Sequence, residues 1–461
     1  MPPQTEALMD LILRNARVRG HDNNVDIAIN NGLITKIESS RRRGVRAAIA
    51  PKITARPRQA ESARRRGVGA AIIDCAGKLV SPPFTDIHVH LDAVLTVGQP
   101  RFNQTGTLIE GIEIWAERKK TLTFDDVKRR ATLAVKWELA HGVTRIRSHV
   151  DVCDPELTAV KALLEVKKEF AGLVDIQLVA FPQDGIYAFP NGESLMERAM
   201  ELGCDIVGGI PHHEMTRDDG VADVKFACDL AQQFQAKLDL HIDETDDPNS
   251  RFTEVLAAET IKRGLRGRVT ASHTTSMHSV DNAYAFKLIR LIKRAGLHMV
   301  TNPCDNSVLQ GRFDTYPKRR GHTRVKELLA AGVNVAIGHD SIMDPWYPLG
   351  VGDPVQVAFV WIHYGQMSGA SEIPQVWDMI TTNPARAFGA TDKSYGIAVG
   401  NPADLVLLDA ETEFDALRRI APRLLVMRAG QIVARTTPGQ TILCPKGWKK
   451  EIVDFRSPNK A

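Results

Sequence analysis

Five side chains of this 461-residue sequence are of the kinds that hold a metal ion or carry a proton: His88, His90, His241, His273 and Asp340. His88 and His90 form a His-Val-His unit followed by Leu91-Asp92. Residues i and i+2 of a strand point to one face, so both imidazoles can address the same ion. His241 opens His-Ile-Asp-Glu, His273 stands in Ser-His-Thr-Thr, and Asp340 in Gly-His-Asp-Ser. Imidazole nitrogens plus one carboxylate, with a position left for water, suit one divalent ion, Zn²⁺ or Fe²⁺. An ion so held lowers the pKa of its water from ~15.7 toward ~7, which gives the set hydrolytic chemistry. Expelling an amine also requires an acid. Glu244, three residues past His241, is the candidate for it. Asp243 between them is expected to face away or to orient a ligand.

Something must bring these residues together. Between about Ser81 and Ala390 short apolar runs alternate with helical stretches. The runs are Phe84–His88, Thr144–Val150, Ile176–Phe181, Asp205–Gly209, Lys237–His241, Arg268–Ser272, His298–Asn302 and Asn334–Gly338. Segments such as Phe124–Leu139, Glu156–Phe170 and Asp281–Ala295 carry apolar residues at helical spacing. Eight strands alternating with helices predict a (β/α)8 TIM-type barrel of the α/β class, with its chemistry at the C-terminal strand ends. The five reactive residues fall at or just after the first, fifth, sixth and eighth runs. A lone barrel histidine is usually a satisfied core residue; five such groups at strand ends are not.

The two chain ends read differently. Leu11–Val18 and Val25–Ile37 look like strands, as do Ala403–Leu408 and Leu424–Val433 with a turn at Ala429-Gly430. Residues 1–80 plus 391–461 are therefore expected to build a small β-sandwich, and 81–390 the barrel. A basic segment interrupts the first part. Arg41 to Arg66 holds ten Lys and Arg against Glu61 alone, and RRRGVRAAIA from Arg41 nearly repeats as RRRGVGAAII from Arg64. Removing its +9 from the formal +4 leaves the other residues at −5. Without interleaved aromatics for base stacking, the segment reads as a duplicated loop insertion and not as a nucleic-acid arm. The apolar content of 43% and charged content of 25% are those of a soluble enzyme. Met1 to Asn15 lacks the pattern of a secretory signal, no run approaches a bilayer span, and the six cysteines contain no CxxC pair. A cytoplasmic protein with reduced thiols is expected, forming a homo-oligomer without membrane or nucleic-acid partners.

The strings PPFTDIHVHLD, HVD at His149, FPQ at Phe181, HIDE, SHTT, and GHDS with DPWYPLG resemble the amidohydrolase superfamily, and within it the bacterial cytosine deaminases. NQTGTLIEGIEIWAERK from Asn103 and QGRFDTYPKRRG from Gln310 extend the likeness, which covers about Pro83 to Arg435. The resemblance implies that His88, His90, His241 and Asp340 bind a single ion. It implies further that Asp340 and His273 share the proton of the attacking water and that Glu244 protonates the ring nitrogen. Gln183 would read the carbonyl and adjacent ring N–H, and Leu108 and Trp346 would pack on the ring. Branches with two metals use a carboxylated lysine on strand four, and Asp205–Gly209 contains none. His212 and His213 are expected to be structural, and His149, nearer the mouth, has no assigned role. Ser341 replaces a second aspartate of the pattern; beside C5 of a pyrimidine it would leave room for a methyl group.

The expected function is thus hydrolytic deamination of cytosine in pyrimidine salvage, with tolerance of 5-substituted rings. Deamination of another cyclic amidine (isoguanine, creatinine or a triazine) stays open, because loops and not ligands choose the ring. A non-catalytic scaffold would be expected to have lost ligands, and none is missing. The zinc deaminases that use H-x-E with PCxxC are excluded, because Pro303-Cys304 has no second cysteine at that spacing.

Overall fold

The computed structural model describes residues 11–40, 70–446 and 449–455. The basic near-repeat at 41–66 and the first ten residues lie outside them. The chain divides into two units, one of residues 84–138 and 143–389, the other of 1–83, 139–142 and 390–461.

The first unit is built on eight parallel strands: β1 (Phe84–Val89), β2 (Val143–Asp151), β3 (Asp175–Phe181), β4 (Ile206–Val207), β5 (Lys237–Ile242), β6 (Val269–His273), β7 (His298–Thr301) and β8 (Asn334–Ile337). They are bonded in chain order. A bridge between Val89 and Asp340 joins the two ends, which closes the barrel expected from the alternation. β2 is buried throughout, as befits a parallel strand covered on both faces. Of the expected runs, the fourth shrinks most. Its Gly208 and Gly209 leave the strand, and a Cβ on either would come within 2.5 Å of the Ala180 carbonyl or 2.7 Å of Asp223. The helices follow the apolar periodicity, as at Phe124–Ala140, Thr158–Glu169 and Asn282–Ala295. The last starts where Asp281 caps it by accepting from the Tyr284 backbone N–H.

In the second unit, Leu11–Ala16, Val25–Asn30, Leu33–Ser39 and Ala71–Asp74 form one four-stranded sheet. Val80–Ser81, Leu405–Leu408, Arg423–Arg428 and Gln431–Arg435 form another. Apolar residues of both sheets, among them Leu13, Ile27, Leu405 and Leu425, share one core, which makes a sandwich. Strands from opposite chain ends pair directly, with Ser81 opposite Val406. The turn at Ala429-Gly430 has φ of 45° and 75°, the hairpin geometry in which glycine is favoured.

Candidate metal and acid–base site

The barrel delivers its reactive side chains to one rim. His88 lies on β1, His241 on β5 and His273 at the end of β6, with His90 and Asp340 just past β1 and β8. Nε2 of His241 is 3.2 Å from Nε2 of His88 and 3.0 Å from Nε2 of His90. Oδ1 of Asp340 stands 3.4 Å from Nε2 of each of those two histidines. All four side chains are buried.

Following the protons shows what this cluster presents. The Ser272 hydroxyl donates to Oδ1 of Asp239 at 2.7 Å, so its only proton is used. It must then accept from Nδ1–H of His88, 3.1 Å away, which leaves His88 with a lone pair on Nε2. Asp239 is in turn held by Arg147 at 2.7 Å, and Arg147 also donates to Thr270 and to the Ala387 carbonyl. Burial opposes charge on Asp340, but His88 and His273 outweigh it and hold the carboxyl well below its usual range. Burial, with the neighbouring histidines, keeps His241 neutral far into acid. Lone pairs and a carboxylate oxygen this close repel unless a cation stands among them. Their separations suit neighbouring ligands of one ion with bonds of roughly 2.0–2.2 Å. The residues fit a divalent metal.

A second line of contacts leads away from the ligands. Asn306 Oδ1 accepts from the Asn302 backbone N–H at 3.2 Å, so its Nδ2 faces Nδ1 of His273 at 3.1 Å and donates to it. Nε2 of His273 lies 3.8 Å from Oδ2 of Asp340 and 3.2 Å from Nδ2 of Asn302, so an amide nitrogen faces each ring nitrogen. Oε1 of Glu244 lies 3.3 Å from Nδ1. Burial, reinforced by Asp340, pushes the Glu244 carboxyl well above its ordinary pKa. Asp340, His273 and Glu244 thus form a continuous row in which burial favours the protonated form of the last member. His273 and Asp340 also adopt φ of 68° and 70°, left-handed values that cost a non-glycine residue ~1–2 kcal/mol. Asp340 is held there by its N–H to the His88 carbonyl at 2.7 Å and by His90 N–H to its own carbonyl at 3.1 Å. Next to it, Gly338 has no room for a side chain, since a Cβ would lie 2.6 Å from that of His88.

A cavity of about 570 Å³ opens on this row. Gln183, Leu108, Ser341 and Trp346 all line it, together with His90, His241, Glu244, His273 and Asp340. Trp346 needs Gly111, where a Cβ would fall 2.4 Å from its Cδ1. His212 and His213 are on the cavity wall as well, and burial drives the His212 pKa down to about 3. His149 is fully buried behind the ligands, its ring 4.1 Å from that of His88. It could join His88 and Asp239 around an ion, but Arg147 already neutralises Asp239 and Ser272 occupies Nδ1 of His88. Asp243 faces away and accepts from Ser250, Phe252 and Thr253, which fixes the start of the helix Phe252–Lys262. Sequence reasoning missed Asp246, which accepts from Gly311 N–H, Arg312 N–H and His278 and so pins the loop over the cavity. It also missed Ser272, Asp239, Asn302 and Asn306. Of these, Ser272 and Asn302 did carry a signal, as polar residues at the ends of runs.

N-isopropylammelide isopropyl amidohydrolase of Pseudomonas sp. (strain ADP) is 33% identical over 432 residues, 92% of this chain and 97% of its own. Pterin deaminase of Rhizobium rhizogenes is 31% identical over 79% of this chain and 83% of its own. The crystal structure of 5-methylcytosine deaminase from Klebsiella pneumoniae liganded with 5-fluorocytosine superposes with a TM-score of 0.85 at 45% identity, covering 94% of this chain and 98% of that one. The sequence model of the amidohydrolase family matches residues 71–434, a span that includes all of the site residues described above, and the chain belongs to that family.

Proposed function

We propose that this enzyme deaminates cytosine and 5-methylcytosine, adding water to C4 and releasing ammonia. The observation that carries the reading is the row Asp340–His273–Glu244 beside the converging ligands, in a cavity that also holds Gln183, Ser341 and Trp346. The 45% identity to a 5-methylcytosine deaminase supports the choice of ring.

His88, His90, His241 and Asp340 would hold one Fe²⁺ or Zn²⁺, since both accept three imidazoles and a carboxylate. The ion supplies a water of lowered pKa. Asp340 Oδ2, with Nε2 of His273 3.8 Å away, would accept the proton that the attacking water gives up. Glu244, already protonated, donates to N3 of the ring, which draws electron density from C4. The two protons of the water, taken up in turn by Asp340 and shared with His273, would protonate the departing amine and recharge Glu244, and the C4–N bond breaks as the added oxygen becomes the carbonyl. Gln183 offers an amide donor and acceptor to O2 and N1–H, while Trp346 and Leu108 pack against the ring. Six free cysteines support a reducing, cytoplasmic setting.

A second reading is favoured by the volume of the cavity, which lies in the range that holds drug-sized ligands. A larger cyclic amidine of the pterin or triazine type would fill more of it. Ammonia release from cytosine, 5-methylcytosine, isoguanine, creatinine, a pterin and an aminotriazine separates the two. Turnover of the pyrimidines well above the others is the expected result; turnover of a larger ring alone would replace the first reading with the second.

A further inference from the structure

One histidine on the cavity wall takes no part in the proton transfers. His212 belongs to the short turn Pro211–His213 that follows β4, and it lines the cavity with Gln183, Glu244 and His273. Its Nδ1 is buried and has no partner among the described residues. Nε2 is not enclosed in that way, so it is the nitrogen turned toward the cavity. Burial, followed by His213, keeps the ring neutral by taking its pKa down to about 3. A neutral imidazole carries one proton, and an orphaned buried N–H is rarer than an orphaned buried acceptor. The bare lone pair therefore belongs on Nδ1 and the proton on Nε2. His212 offers the cavity a donor.

The turn that carries it is held from both sides. The Ile210 backbone N–H donates to Oδ2 of Asp223 at 3.2 Å. Glu214 accepts from the backbone N–H groups of Ile186, Tyr187 and Ala188 at 2.6, 3.1 and 2.9 Å, which ties the turn to the segment that follows Gln183. β4 pairs with β3 on one side and with β5 on the other. Along the rim His212 therefore comes between Gln183, just past β3, and Glu244, just past β5. It is also near enough to His273 for a charge on one ring to oppose a charge on the other. A pyrimidine has the matching order: O2 comes between N1–H, which Gln183 reads, and N3, which Glu244 serves. O2 has two lone pairs, and the Gln183 amide donor meets one of them. We infer that Nε2–H of His212 donates to the other lone pair of O2, on its N3 side. The inference rests on the pyrimidine reading, and it makes a substrate-binding residue of a histidine expected to be structural. Attack at C4 sends electron density through N3 toward O2, so this bond strengthens as the reaction proceeds and its loss lowers kcat as well as raising KM.

Two ligands that differ only at O2 test this in the metal-loaded enzyme: uracil, and pyrimidin-4-one, which lacks that oxygen. Their inhibition constants are measured beside kcat/KM for cytosine in wild type and in His212→Phe, which keeps a flat ring and removes the donor. We expect the variant to bind uracil about tenfold more weakly and to lose at least as much in kcat/KM for cytosine. Its inhibition constant for pyrimidin-4-one should stay within twofold of wild type. His212→Gln keeps an N–H donor and should restore part of the preference for uracil. Uracil binding and cytosine turnover within twofold of wild type in His212→Phe would overturn the inference. Equal weakening of both ligands would overturn it too, because it would make His212 a structural residue only. Should His212→Phe fail to fold, His212→Leu is read in the same way. Wild-type release of ammonia from cytosine with either of those results sinks the O2 contact alone. No release from cytosine or 5-methylcytosine sinks the pyrimidine reading with it.

Discussion

Removing one hydroxyl group should loosen the metal without touching a ligand. In Ser272→Ala the chain from Arg147 through Asp239 to His88 loses its middle member. Nδ1–H of His88, with the residue 0% exposed, is left with no acceptor at 3.1 Å. Stranding a buried donor costs about 1–3 kcal/mol. At 1.4 kcal/mol per decade this is roughly 5–150-fold in Kd, and changes in the outer shell of metal sites typically give ~10–100-fold. The loss falls on metal binding because the same bond fixes the lone pair on Nε2. The assay is a titration of loaded enzyme with a chromophoric chelator, with metal content measured at each step. We expect Kd to rise about 10–100-fold and the Tm gained on adding metal to shrink accordingly. The Tm of the metal-free protein should move much less. A Kd within twofold of wild type would refute the tautomer argument, and an equal fall in Tm with and without metal would make Ser272 a packing residue only.

Three further outcomes follow from the same contacts. Glu244→Gln should keep its metal and lose ~10²–10⁴ in kcat, the usual share of an acid–base group; retained turnover contradicts the role. Ser341→Asp should add a third carboxyl beside Asp305 and Asp344 and selectively depress kcat/KM for 5-methylcytosine relative to cytosine; unchanged discrimination would remove Ser341 from the C5 side. Glu138 is buried with neither carboxylate oxygen partnered among the described residues, and burial followed by Asp86 raises its pKa well above the usual value. A raised carboxyl contributes stability at low pH and loses it as pH climbs through the folded-state pKa. Glu138→Gln should therefore gain Tm relative to wild type above neutral pH, with the gain fading in acid; a difference independent of pH would show that Glu138 is not titrating.

The convergence of these side chains could be read in advance because their placement is local. A histidine at the end of an apolar run needs only the period of a strand and the barrel rule to reach the rim, and His88, His90, His241, His273 and Asp340 meet there. Their support could not be read this way. Ser272 reaches Asp239 because β5 and β6 pair with His241 opposite Ser272 and Asp239 opposite Thr270, a register that no single run specifies. Asn306 faces His273 only because the Asn302 backbone N–H fixes which end of its amide turns inward. Ligand identity thus follows from position along the chain, while protonation state and substrate preference follow from contacts between distant segments. Ser341 belongs to the second kind, which is why ring choice must be tested there and not at the metal.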